Sequence, residues 1–476
     1  MSGLTRRESL IAGAAVLAAG CGATRSARTG STLEATWRDP HGTGVLQRAA
    51  GEPLIARTEL GAPARARRHL ATIAHLTDAH VLDASSPARV PFLDRLGDPF
   101  QSTFRPQEAL TGQVLAGAVR VIRALRPDAV IQGGDLIDND QANELSLALT
   151  VLRGGTAGWG RPYFGVQLAA NPDPFYYRPD LDAPRHPGLL REATRRFTSP
   201  GLGAPVHPAL GDHDILLAGE IVPTAQTRAL AVGEEAVWEL PPGLTLPPGI
   251  AAGLSPDGPP SPRLIDNFLA QALAGPKVRV PADPARRQMN AAEVVARLSG
   301  SGPTLDYFVD VGASLRLVVL DLARRAGGSG GLVRPEQPTW LAGALRAAGE
   351  RWVIVASHQP LPGAEGGEAL LGILDRDPRV IAALSGHTHR NEIVPRAGYW
   401  LITTASLIDH PQQARMLRVL ETAGGGVALE TWMLDHTGAL AAISRQLAYL
   451  DAQGGRPRGF AGTRLDRNVT LYRRAP

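Results

Sequence analysis

The sequence predicts an α/β (α+β) fold, a β-sandwich of two sheets flanked by helices, with long segments inserted into it. Three observations carry the prediction. Apolar runs of strand length recur along the chain, and most are followed within a few residues by Asp or His. Helical periodicity separates early runs but not late ones, which points to a parallel α/β arrangement followed by a more antiparallel sheet. Two stretches, about 140–205 and about 215–303, are rich in Pro and Gly and too long for simple connections.

The chain has 476 residues, room for one large domain or two ordinary ones. Its 44% hydrophobic and 20% charged residues are ordinary for a globular protein. A formal net charge of +4 is small for this length. No basic cluster is interleaved with aromatics, so nucleic-acid binding is not expected.

Thr5-Arg6-Arg7-Glu8-Ser9-Leu10-Ile11 resembles a twin-arginine export motif. The uncharged run that follows, to Gly20, is too short to span a bilayer. It ends in Leu17-Ala18-Ala19-Gly20-Cys21, which resembles a bacterial lipobox. Residues 1–21 are therefore expected to be a lipoprotein-type signal, with Cys21 taking the lipid that anchors the protein to the outer face of the cell membrane. An ordinary cleaved signal and a secreted product are the alternative. Cys21 is the only cysteine, so no internal disulfide is expected.

Residues 22–68 lack sustained periodicity and read as a tether and irregular lead-in. The main domain is expected over 69–440, with a C-terminal extension over 441–476. Its first strand is the apolar run 71–77. A helix follows over 107–126, where Ala109, Leu110, Val114, Leu115, Val119, Ile122 and Leu125 share a face and Pro127 stops it. Further strands are read at 129–133, 315–320, 352–356 and 380–384, and a helix at 337–348. The late strands 400–404, 416–420 and 427–433 form the more antiparallel group. The two insertions read as a cap beside the site. For the second, a disordered surface loop is an equal alternative.

Five motifs stand in order along this frame: Asp78-Ala79-His80; Gly134-Asp135-Leu136-Ile137-Asp138-Asn139; Gly211-Asp212-His213-Asp214; His358; and Gly386-His387-Thr388-His389. Each lies after an apparent strand, as an active site at the edge of an α/β sheet requires. Their donors are carboxylate oxygens and imidazole nitrogens, which suit Mn, Fe, Zn or Co and exclude an all-sulfur site.

The ordered set resembles the calcineurin-like metallophosphoesterases. With its signal and insertions, the chain is similar to their twin-arginine-exported actinobacterial branch. That resemblance implies a four-layer fold and two divalent or trivalent metal ions. Asp78, His80, Asp135 and His389 would hold one metal. Asp135 would bridge to a second, held also by Asp212, His358 and His387. His213 would assist the leaving group and Asp214 would orient it. Asp138 and Asn139 would fix the second motif's loop. The implied reaction is hydrolysis of phosphate mono- or diesters by in-line attack of a metal-bridging hydroxide. A catalytically weak or inactive metal-loaded scaffold is the alternative.

The family usually has Asn at position 212. Here Asp212 adds a negative charge, which lowers the formal charge of the loaded centre from about +1 to about 0 and is expected to weaken attraction for phosphate dianions. Tyr176, Tyr177 and Arg178 in the first insertion, and Arg415 after the last motif, are candidate substrate contacts. Packed aromatics and ion-paired arginines are the plainer reading of these four.

Overall fold

The computed structural model describes residues 30–96, 102–244, 262–299, 302–451 and 459–475. Strands β1 (Ile55–Leu60), β2 (Ala66–Leu76), β3 (Ala129–Gln132) and β4 (Val206–Pro208) begin one sheet. A second sheet holds β5 (Tyr307–Val311), β6 (Leu315–Leu320), β7 (Trp352–Ser357), β8 (Val380–Ser385), β9 (Glu392–Arg396) and β10 (Tyr399–Thr403). The chain then returns to complete the first with β11 (Gln413–Thr422), β12 (Val427–Asp435) and β13 (Val469–Arg473). The first sheet has the order β1-β13-β12-β11-β2-β3-β4, the second β5-β6-β7-β8-β10-β9.

Side-chain alternation along the strands builds the layers. On β2, Ala71 and Ile73 face the second sheet and pack with Leu417, Leu429, Leu317, Ile354 and Trp400. Ala74 and Leu76 face the other way, onto helix α1 (Thr111–Leu125), through Val114, Leu115 and Ile122. Helix α2 (Ala142–Arg153) joins that layer through Leu145 and Ala148. The outer face of the second sheet, with Val318, Leu320 and Val355, lies under α3 (Gln337–Arg346) and α4 (Gly367–Leu374). The order is helix, sheet, sheet, helix. α1 stops where Arg126 turns left-handed, at φ 50°, before Pro127.

Four features differ from the expectation. Residues 30–68 are ordered: Ala35–Arg38 pairs with Gln47–Ala50, and β1 joins β13 as the edge of the first sheet. Glu52 fastens this segment by taking both Arg38 and Arg467. An edge strand buries little: Arg57 is buried and Ile55 and Leu60 are half-buried, so no sustained apolar alternation marks it in the sequence.

The expected antiparallel strand 400–404 belongs instead to the other sheet. β10 lies parallel to β8 and is reached through β9, a hairpin partner, without a crossover helix. The antiparallel strands β11 and β12 extend the sheet that contains β2. The C-terminal extension is part of the core, since helix α5 (Ala439–Leu450) packs on α1 and β13 lies between β1 and β12.

The first insertion opens with α2, a core helix. The second contains the helices Ala225–Val232, Pro262–Ala272 and Ala291–Ser299 and a ribbon of Glu235–Val237 with Lys277–Arg279. Both insertions are lashed to the loop after the first motif: Arg286 bonds Asp83 at 2.9 Å, and Arg161 joins Asp83 to Asp283. Residues 1–29, with the export motif and Cys21, lie outside the described residues. Among the described residues no helix is long and apolar enough to cross a membrane.

Candidate metal centre

Two trios of parallel strands end at the same edge of the sandwich. β2, β3 and β4 lead to Asp78 and His80, to Asp135, and to Asp212 and His213. β7, β8 and β10 lead to His358, to His387 and His389, and to Asp409. Parallel neighbours end at one level, so residues distant in sequence converge there.

The backbone is strained at this point. Asp78, His80, Asp135, His387 and His389 have φ of 52, 42, 47, 66 and 55°. A non-glycine residue in this region costs about 1 kcal/mol or more, so the loops must be held by their neighbours. They are: His80 N donates to Asp135 O at 3.0 Å, Gly386 N to His358 O at 2.9 Å, and His387 N to Asp78 Oδ1 at 3.1 Å. Gly134, at φ 92°, is needed for a second reason. A Cβ there would stand 2.5 Å from His358 Nδ1.

The donors fall into two groups that could each hold a cation: Asp78, His80 and His389; and Asp135, Asp212, His358 and His387. His358 Nε2 lies 3.0 Å from Asp135 Oδ2 and 3.2 Å from Asp212 Oδ1, yet it is buried without a hydrogen bond. His387 Nδ1 is 3.3 Å from Asp212 Oδ1 and His389 Nε2 is 3.3 Å from Asp78 Oδ1. Two imidazole nitrogens, His80 Nε2 and His389 Nε2, face each other at 3.2 Å. With bonds of about 2.1 Å, neighbouring donors around one ion stand about 3.0 Å apart in an octahedron and about 3.4 Å in a tetrahedron. The spacings match the edges of such polyhedra, and the orphaned Nε2 of His358 is aimed at a shared centre. The residues fit metal.

Electrostatics agree. Asp78, Asp135 and Asp212 are almost fully buried, and among the described residues no Lys or Arg pairs with them. Burial opposes charge on His358, but Asp135, Asp212 and Asp78 outweigh it and hold the imidazole well above its ordinary range. His389 behaves likewise: burial works against the charge, and Asp78 and Asp409 prevail and push it up to about 9.

In His80, His358 and His389 the inward-facing nitrogen is fixed by the bond its partner nitrogen makes. His80 Nδ1 meets Asp138 Oδ1 at 2.9 Å, His358 Nδ1 meets Gly133 O at 2.8 Å, and His389 Nδ1 meets Asp409 Oδ2 at 2.6 Å. Asn139 Nδ2 donates in turn to Asp138 Oδ2 at 3.0 Å. Arg105 Nε donates to Asp409 Oδ1 at 2.8 Å, and Gln359 Nε2 to Asp212 Oδ1 at 3.0 Å. Asp409, Arg105 and Gln359 were missed in the sequence. Asp409 follows β10 as the other motifs follow their strands, and that was the available signal.

His213 lies edge-on to His80, ring centres 4.5 Å apart, and forms with His80 and Asp135 a third overlapping donor group. Its Nδ1 donates to Asp138 O at 2.8 Å. Asp214 does not orient it, which corrects the expectation. The Asp214 carboxylate turns away and accepts from Gly211 N, Leu136 N and Ile137 N at 2.9, 2.9 and 3.2 Å.

The four candidate substrate contacts are also corrected. Tyr176 is fully buried, its hydroxyl donating to Trp238 O at 2.6 Å. Tyr177 donates to Pro184 O, and Arg178 is paired with Asp182. Arg415 is buried between the sheets on Thr404, Thr431 and Asn391. None of them reaches the donors. The centre opens at His387, whose side chain is 24% exposed while those of the other six donors are at most 11% exposed.

No protein-family model matches the chain, and no curated protein matches it. Among solved structures, the chain is similar to a dimetal phosphatase from Danio rerio, at 14% identity and a TM-score of 0.41, over 78% of this chain and 100% of that one. It is similar to PhoD at 12% identity and a TM-score of 0.30, over 85% and 80%. It is also similar to GAP50, the anchor in the inner membrane complex of Plasmodium, at 12% identity and a TM-score of 0.30, over 82% and 100%. Likenesses this remote assign neither a family nor a reaction.

Proposed function

We propose that the centre holds two metal ions and hydrolyses phosphate mono- or diesters. One observation carries the two-ion reading. Asp135 Oδ2 lies 3.0 Å from His358 Nε2 and 3.6 Å from His80 Nε2, so a single carboxylate oxygen faces both donor groups. An acid shared in this way is how two cations are held about 3.5–4 Å apart. When bound, such a pair would acidify a water and polarise the phosphoryl oxygens.

The chain's own residues do the rest. Asp78, His80 and His389 would hold one ion; Asp212, His358 and His387 would hold the other. Burial of the donors excludes bulk water from all but the His387 side. The Asp138 carbonyl accepts from His213 Nδ1, so in the imidazolium form the second proton, on Nε2, is the one the ring would give to the departing oxygen, returning to the neutral Nδ1–H tautomer. No nucleophilic side chain is required. The ions would be Mn, Fe, Zn or Co, the set that oxygen and imidazole donors favour.

The test is metal content together with hydrolysis of aryl phosphate mono- and diesters by protein loaded with Mn²⁺, with His213→Ala as control. Near two ions per chain, turnover, and its loss in the control are expected. Full metal occupancy without turnover on any ester would sink the enzyme reading and leave a metal-loaded scaffold. We propose also that residues 1–21 export the protein and that Cys21 anchors it to the membrane. The check is incorporation of labelled fatty acid, expected in the parent and absent in Cys21→Ser.

A further inference from the structure

A cavity of about 560 Å³ lies on the outer face of the six-stranded sheet, at the edge where the metal donors gather. Ala383, Val394 and Leu401 are contributed by β8, β9 and β10, and Leu361 by the segment that follows β7. The hydroxyls of Ser385 and Thr403, which also line it, bond each other at 3.0 Å; Glu392 and Arg396 stand at its rim on β9, Arg396 paired with Asp375, and the rest of the wall is mostly apolar.

Two lining residues belong to the centre itself. His387 is a metal donor and the one through which the centre opens. Gln359 gives its Nε2 to both Asp212 Oδ1 and Ser329 O, at 3.0 Å each. Its Oε1 is buried with no partner. A buried acceptor without a donor is unfavourable, and a donor on a ligand would relieve it. The cavity's size is that of a small-molecule subsite. A phosphoryl group at His387 would point its ester oxygen either to solvent or into this space.

We propose that the cavity receives the alcohol portion of the ester and selects apolar alkyl or aryl alcohols over small polar ones. The proposal rests on the hydrolase reading of the centre. Its driving force is removal of apolar surface from water, with Gln359 Oε1 accepting from a donor near the phosphate.

The experiment measures binding of naphthyl phosphonate and methylphosphonate, which are not hydrolysed, to the manganese-loaded full chain by calorimetry. Parent protein is expected to prefer the naphthyl compound by at least about tenfold. Two substitutions fill or charge the cavity. Gly363→Trp adds bulk where a Cβ meets nothing within 4 Å, and Val394→Arg changes a side chain that is 41% exposed, so neither disturbs packing. Each is expected to collapse the naphthyl-to-methyl ratio towards one. A parent ratio near one overturns the proposal, as does a high ratio that both variants keep. A high ratio that collapses, in a protein that turns over no ester, supports the apolar subsite and refutes the hydrolase reading alone.

Discussion

Asp214 is next to His213 in sequence, and its spacing suggests a partner for that ring. The structure gives it a different task, and the two roles separate under one substitution. Its Oδ1 accepts from Leu136 N and Ile137 N, its Oδ2 from Gly211 N, and the side chain is fully buried. It thereby ties the loop of the second motif to that of the third. Burial, and then the charge of Asp135, push its carboxyl up to about 7, so the site is held against a real cost.

Asp214→Ala strands three buried amides. At about 1–3 kcal/mol each, the loss is about 3–9 kcal/mol, against a whole-domain stability of about 5–15 kcal/mol. Asp214→Asn keeps an oxygen for two of the amides and turns an NH₂ towards the third, so it should fall between parent and Ala. The assay is urea denaturation of chelated protein, followed by tryptophan fluorescence, because bound metal would mask the loss. An Asp214→Ala protein within about 0.5 kcal/mol of the parent would refute the reasoning. So would an Asp214→Asn protein that keeps its stability and loses only turnover, since that is the behaviour of a residue orienting His213.

Asp409→Asn removes the charge behind His389 while leaving an acceptor for Arg105. Metal affinity measured by chelator competition should weaken roughly 10–100-fold, and an unchanged affinity would contradict the placement. Asp212→Asn should lower metal affinity and raise turnover of an aryl monoester; if both stay put, the charge argument is wrong. Glu220 titrates in a burial-dominated setting: burial, opposed by bonds to Ser329 and reinforced by Asp212, pushes its carboxyl up from 4.5 to about 8. The folded chain then keeps a proton that the unfolded chain releases. Chelated parent should therefore lose a few (~2–5) kcal/mol of stability as pH rises from about 4.5 to about 8 and then level off. Glu220→Gln should lack this slope in denaturation series run at each pH, and a slope equal to the parent's would count against it.

The donors were legible in the sequence for two physical reasons. Metal chemistry restricts them to a few residue types, and parallel strands restrict them to positions just past apolar runs. Both restrictions leave marks, and the strands at 129–133, 315–320, 352–356 and 380–384 recur within a residue or two in the structure. Supporting residues carry only the second mark. Any acceptor behind His389 would do, and Asp409 reaches it only because β10 lies parallel beside β8. The sequence suggests an antiparallel strand there, because no helix separates the late strands 400–404, 416–420 and 427–433.

Arg415 illustrates the opposite error. It sits in register with His75, on the face of β11 that looks between the sheets. An arginine there is kept by satisfying its guanidinium internally, on Thr404, Thr431, Asn391 and the Asp466 carbonyl, and burial pushes it down to about 9. Its spacing after a motif strand matched that of a substrate contact, but the strand's parity turned it inward. The same parity rule applies to Asp214. Adjacent residues in a turn seldom point the same way, and Asp214 turns from His213 to the backbone of a facing loop. His213 is instead steadied by Asp138, 75 positions away, whose carbonyl holds its Nδ1 while its carboxylate holds His80. One residue thus holds a metal donor with its side chain and the proposed proton donor with its backbone. Asp138→Ala removes the carboxylate and keeps the carbonyl, so it should weaken metal affinity through His80 while the His213 bond stays in place, whereas a substitution at Asp214 should move stability first.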